Sequence, residues 1–101
     1  MLQQDCIANE TLRELLAAEA GSLLIVDVRS PDEYAERHIP GAVNIPLDTL
    51  PAGIAQALKS KRIVAVCGKG GGRSANAAEM LSAEGFNAQY LCNGTFGWFS
   101  V

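Results

Sequence analysis

The chain has little cysteine, one histidine, few aromatic residues (6%) and no surplus of positive charge, its 11 acids against 8 bases giving a net charge of −3. Each scarcity excludes something. Cys6, Cys67 and Cys92 are odd in number and match no zinc spacing, so neither a disulfide framework nor a metal-held fold is expected. An acidic balance argues against a domain that grips nucleic acid through its phosphates. No apolar run approaches the roughly 20 residues that span a bilayer, so no membrane partner is expected. Residues 1–10 carry no base and no long apolar core, unlike a signal peptide, which predicts a cytoplasmic protein. No linker, repeat or low-complexity segment divides the 101 residues, which predicts a single domain over 1–101 with a modest core.

Acid is also missing locally. Between Thr49 and Ala78 there is none, while Lys59, Lys61, Arg62, Lys69 and Arg73 all fall there. In sequence these bases surround Cys67 and predict a small anionic substrate steered to its thiol, although Lys59, Lys61 and Arg62 can instead solvate a helix end, the reading favoured for Lys59 and Lys61. Residues 62–74 (RIVAVCGKGGGRS) read as a strand covered on both faces, a cysteine at its end, a glycine loop and a helix start. Gly68, Gly70, Gly71 and Gly72 lack the Cβ atoms that would keep successive N–H groups from converging, so Gly68, Lys69, Gly70, Gly71 and Gly72 form a predicted anion cradle. The helix start at Ser74 and the planar fork of Arg73 add to it. The same field would stabilise a thiolate, which predicts a reactive Cys67 with a lowered pKa. A buried core thiol would leave the glycines unexplained. A nucleotide-phosphate loop needs G-x-x-x-x-G-K-[ST], and here Gly68 and Gly72 are one residue too close, with Arg73 in the lysine position.

In chain order, residues 2–7 read as a weak edge strand. Thr11 and Glu14 have capping-box spacing and Leu12, Leu15 and Leu16 share a face, predicting an amphipathic helix that ends at Gly21. Residues 23–26 form a second buried strand, delivering Asp27 and Arg29 at its C-terminal end, where open α/β sheets place their chemistry. Ser30-Pro31-Asp32-Glu33 supplies a cap, a first-position proline and the box glutamate of a short helix running to about Arg37. His38 follows in a break; fixing that turn is favoured over service as a general base for Cys67. Residues 42–45 read as a small strand. Residues 48–59 read as a weaker helix, with Leu50, Ile54 and Leu58 at four-residue spacing but Pro51 and Gly53 near its start. Residues 74–84 form a strong helix with Ala77, Ala78 and Leu81 inward, closed by Gly85. A last strand over 88–92 precedes Phe96, Trp98 and Phe99, which together offer an apolar patch. Strands alternating with helices imply a parallel sheet with helices on both faces.

These residues resemble a single-domain rhodanese over nearly the whole chain. Asp27-Val28-Arg29, Glu33-Tyr34, residues 38–42 (HIPGA) and Asn44-Ile45-Pro46 are similar to the family's first signature, the Cys67 loop with Arg73 and Ser74 to its active site, and residues 91–98 to its closing segment, with Asn93 replacing one of a usual glycine pair. The resemblance implies an α/β, three-layer fold with a mainly parallel sheet of four to five strands. It implies a sulfurtransferase in which Cys67 takes a sulfur from thiosulfate or another donor, carries it as a persulfide and passes it to a thiophilic acceptor. Gly68 to Ser74 then hold the anionic donor, while Asp27 and Arg29 brace the loop from the neighbouring strand end. The implied partners are a small anionic sulfur donor, a thiol or cyanide-like acceptor and a sulfur-carrier protein, with no cofactor or metal.

One departure raises a rival. The arginine comes six positions after the cysteine, giving C-x5-R-S, where rhodaneses of this size usually place it at five. That is the loop length of cysteine phosphatases, including rhodanese-fold phosphatases and related arsenate reductases, and an added residue lengthens the loop by up to about 3.5 Å. Against it, Val66 stands where those phosphatases put histidine, and the loop offers no acid to protonate a leaving alkoxide. A noncatalytic interaction module is a third reading, disfavoured because Cys67 is present. Cys92 reads as a small buried hydrophobe at a strand end. A strand beside that of Cys67, as the resemblance places it, would also permit a Cys67 to Cys92 crosslink after a small loop movement.

Overall fold

In the computed structural model the described residues are 6–50, 54, 56–69 and 72–99. Among them, five strands make one sheet: β1 (Cys6–Ile7), β2 (Leu23–Asp27), β3 (Val43–Asn44), β4 (Arg62–Val66) and β5 (Asn87–Leu91). Their order is β1-β5-β4-β2-β3 and every pairing is parallel. The middle strand, β4, carries the unbroken apolar run, and Ile63 to Val66 are all buried. Successive strand side chains point to opposite faces, so the apolar stretch that follows Arg62 needs cover on both. Ile63 and Ala65 pack with Val26 and with Ala77, Ala78 and Leu81 of α3 (Gly72–Ala83). Val64 and Val66 pack on the other face with Ile25, Leu91 and Leu12 of α1 (Asn9–Glu19). Tyr34 of α2 (Pro31–Glu36) and Trp98 of α4 (Gly94–Trp98) close that second layer. The three-layer α/β arrangement expected from the sequence is the one found.

Local expectations fared unevenly. The start of α2 is as read: Ser30 Oγ accepts from the Glu33 N–H, the Glu33 carboxylate accepts from the Ser30 N–H, and Pro31 opens the helix. Helix α1 starts at Asn9 rather than Thr11, so the Thr11 to Glu14 spacing lies inside it. A tertiary bond marks that start, from Asn9 Nδ2 to the Gly97 carbonyl at 3.1 Å. Residues 48–59 do not form one α-helix; the described parts are 3₁₀ turns at Leu47–Thr49 and Gln56–Ser60. Leu50 is extended (φ −92°, ψ 154°), the conformation that a following proline imposes. Leu50 and Ile54 are nonetheless buried on the α3 side of the sheet. Pro51, Gly53 and residues 2–5 of the expected edge strand lie outside the described residues. No helix among the described residues is long and apolar enough to cross a membrane.

The largest correction concerns the cysteines. Cys6 and Cys92 form a disulfide across a sequence separation of 86. An odd count excludes only the pairing of all three, and the one left over is Cys67. Parallel pairing of β1 with β5 sets Cys6 against Tyr90 and Ile7 against Leu91, and the Cys92 N–H bonds to the Ile7 carbonyl at 2.9 Å. Cys92 is thus committed to β1, on the side of β5 away from β4. It is neither a partner for Cys67 nor merely a small hydrophobe.

Candidate active site

Cys67 follows the last residue of β4 and is buried, its thiol donating to Ser74 Oγ at 3.3 Å. Ser74 is itself fully buried in the first turn of α3, so the strand end and the helix start meet at the sulfur. A cavity of about 350 Å³ opens on Cys67, with Gly68, Lys69, Gly72 and Arg73 from the predicted loop in its wall. Gly70 and Gly71 lie outside the described residues. Two further wall residues, Glu33 and Phe96, come from distant segments and were not expected there.

Phe96 arrives with the closing segment. The Thr95 N–H donates to the Cys67 carbonyl at 2.7 Å and the Phe96 N–H to the Gly68 carbonyl at 2.9 Å, stitching α4 to the start of the loop. The Phe96 ring lies so close to Gly68 that a Cβ there would stand 3.1 Å from it, which is a reason for glycine at 68. Thr95 is fully buried, and its hydroxyl has no partner among the described residues. The aromatics do not form the single patch expected of them. Trp98 packs beside Leu12 and under the Arg13 guanidinium (4.1 Å), and Phe99 lies under Arg37 (4.2 Å), leaving Phe96 half exposed beside Cys67. Cation–π cover explains the dispersal.

The basic neighbourhood is dispersed as well. From Arg62 to Val66 the strand rises about 13 Å, so bases near Cys67 in sequence lie at the opposite edge of the sheet. There Arg62 donates to Gln89 Oε1, Lys61 Nζ to the Gly21 carbonyl, and Lys59 lies over Phe86. Of the five bases, Lys69 and Arg73 line the cavity. Arg73 is paired, its Nη1 bonding Glu33 Oε1 at 2.9 Å and its Nη2 bonding Oε2 at 3.2 Å. The Arg73 guanidinium, with the Ser30 backbone second, holds the Glu33 carboxyl down at about 2, and Glu33 in turn raises Arg73. The loop, as read from the sequence, offers no acid, but Glu33 brings one to the cavity wall. Glu33 was legible as a helix cap and as part of the family's first signature, and no local signal links it to an arginine 40 positions on.

Asp27 and Arg29 pair with each other rather than with the loop. Arg29 Nη2 meets Asp27 Oδ2 at 2.8 Å, Nε bonds both carboxylate oxygens, and Nη2 also reaches the Arg37 carbonyl at the end of α2. This ties the end of β2 to the helix that carries Glu33, while the Val28 N–H bonds the Val66 carbonyl beside Cys67. Burial opposes the charge of Arg29, but its bonds to Asp27 outweigh that and raise its pKa. His38 Nδ1 lies 2.8 Å from the Tyr34 carbonyl and its ring stacks on Tyr34 at 3.8 Å, the turn-fixing role favoured by the sequence.

Residues 8–100 match the rhodanese-like domain. The chain belongs to that family. A sulfurtransferase from Allochromatium vinosum is 31% identical over 91% of this chain and 85% of its own length. The crystal structure of a rhodanese-like domain protein from Staphylococcus aureus is 36% identical, with a TM-score of 0.80 over 94% of this chain and 91% of that one. The HTH-type transcriptional regulator Rv0324 of Mycobacterium tuberculosis is 42% identical over 64 residues, 63% of this chain but only 27% of the regulator's length. The chain therefore also matches part of a longer protein, and a sulfurtransferase-like role is the one supported by a relative covered over most of its length.

Proposed function

We propose that this rhodanese-like protein moves a sulfane sulfur through a Cys67 persulfide. The carrying observation is a buried thiol, excluded from the disulfide, that opens at a strand end onto a small cavity walled by Lys69 and Arg73. The Cys67 thiolate attacks the outer sulfur of thiosulfate; a Cys67 S–S bond forms, the donor S–S bond breaks, and its electron pair leaves with sulfite. An acceptor thiolate or cyanide then takes the outer sulfur, and the pair returns to Cys67 as thiolate, so no outside oxidant is consumed. Ser74 Oγ–H is placed to donate to that thiolate in both half-reactions. A sulfur-carrier protein is a further acceptor in this reading. The Cys6–Cys92 bond is of a kind that persists best under oxidising conditions.

The arginine spacing favours phosphatase or arsenate reductase chemistry as the second reading. That chemistry needs an acid for the leaving group, and the acid in the cavity wall, Glu33, is held ionised by Arg73. Parallel assays with thiosulfate plus cyanide, an aryl phosphate, and arsenate plus thiol separate the readings. Cys67→Ser is expected to abolish sulfur transfer while melting like the wild type, and mass spectrometry of thiosulfate-treated wild type to show one added sulfur on Cys67. Turnover retained in the serine variant would remove the mechanism.

A further inference from the structure

Arg73 is the loop residue best shaped to hold an oxyanion, yet both its terminal nitrogens are already occupied by a carboxylate. That carboxylate is anchored independently. Glu33 Oε1 also accepts from the Ser30 N–H and Ser30 Oγ–H, each at 3.1 Å, and Arg29 fastens the far end of α2 to the sheet. Each terminal nitrogen keeps one further N–H, so a donor that engages Arg73 must share its charge with an anchored anion.

We propose that Glu33 determines donor selectivity by cancelling the charge of Arg73 at the Cys67 cavity, biasing the protein toward singly charged organic persulfides and away from dianions such as thiosulfate. This deepens the sulfurtransferase reading and rests on it. The charges near the cavity show why. Glu33 and Arg73 offset each other, Asp27 and Arg29 do the same behind them, and Lys69 in the cavity wall is left as the uncompensated cation among the described residues. A dianion thus meets one net positive charge where it would otherwise meet two. The chemistry is balanced for either donor. Attack by the Cys67 thiolate on the outer sulfur breaks the donor S–S bond, and the electron pair leaves with sulfite from thiosulfate or with an alkyl thiolate from an organic persulfide.

Glu33→Gln tests this, because glutamine can still close a capping box. The ratio of kcat/KM for thiosulfate to that for a simple alkyl persulfide is expected to rise about tenfold, the loss of one charge-assisted contact from the competitor. The thiosulfate KM should also become more sensitive to salt, a change that a merely structural role for Glu33 would not produce. A ratio that is unchanged, or that falls because Glu33 orients Arg73 for the donor, overturns the inference. Binding provides an arm free of turnover: calorimetry with thiosulfate should give about tenfold tighter binding to Cys67→Ser/Glu33→Gln than to Cys67→Ser, and equal affinities overturn it. If wild type turns over neither donor, the sulfurtransferase reading fails on its own and the calorimetric pair still decides the role of Glu33.

Discussion

Two arginine–carboxylate pairs lie within one neighbourhood and do opposite things. Arg29 and Asp27 are almost wholly buried, at 2% and 0% side-chain exposure, whereas Arg73 and Glu33 are 45% and 39% exposed. The chemistry is the same and the surroundings decide the consequence. A buried pair has lost its hydration, so each partner depends on the other, and removing one strands a charge. An exposed pair can exchange its partner for water or for a ligand at little cost to the fold. The first pair therefore reads as part of the frame, holding β2 to α2, and the second as adjustable machinery at the cavity.

The sharpest way to break that contrast is Arg29→Ala. It leaves the Asp27 carboxylate buried and unpaired, with an expected loss of about 3–5 kcal/mol in urea unfolding. Arg73→Ala in the same assay should cost under about 1 kcal/mol. Similar losses at the two sites would erase the distinction between frame and machinery. Function should rank them differently. Arg73→Ala removes a bidentate partner and leaves Glu33 repelling anions, so the thiosulfate KM should rise about tenfold, against about two- to threefold for Lys69→Ala, a flexible point charge. Adding Glu33→Gln to Arg73→Ala should recover part of the loss. A larger effect at Lys69 would show that Arg73 does not hold the donor.

The same contrast explains what could be read from the sequence. The frame was legible where a property is local: the unbroken apolar runs became β2 and β4, and the Ser30 to Glu33 box became the start of α2. Cys67 was legible because a strand, a glycine loop and a helix start announce it in sequence. What was missed depends on long-range register. Glu33 meets Arg73 across 40 residues, Cys6 meets Cys92 across 86, and the bases from Lys59 to Arg62, close to Cys67 along the chain, are set apart from it by the length of β4. Glu33 was the harder miss. Its capping role already accounted for it, so nothing remained to suggest a second partner.

The smallest expected effect is a pH dependence carried by the exposed pair. Glu33 titrates at about 2 in the folded protein, down from 4.5, because Arg73 and the Ser30 N–H favour its charged form. Between those two values the unfolded chain binds more protons at this position than the folded one, so stability rises with pH there. The contribution is complete above about pH 5 and fades as pH falls through 4.5 toward 2. Glu33→Gln lacks it. The urea midpoints of wild type and variant should therefore differ most near neutrality and converge as the pH approaches 2. Because both side chains are more than a third exposed, the gap should be small and should shrink further in about 1 M salt, where screening acts within about 3 Å. Arg29→Ala supplies the control: a deficit from a buried pair should persist in the same salt. A Glu33→Gln gap that is unaffected by both acid and salt would mean that the exposed pair belongs to the frame after all.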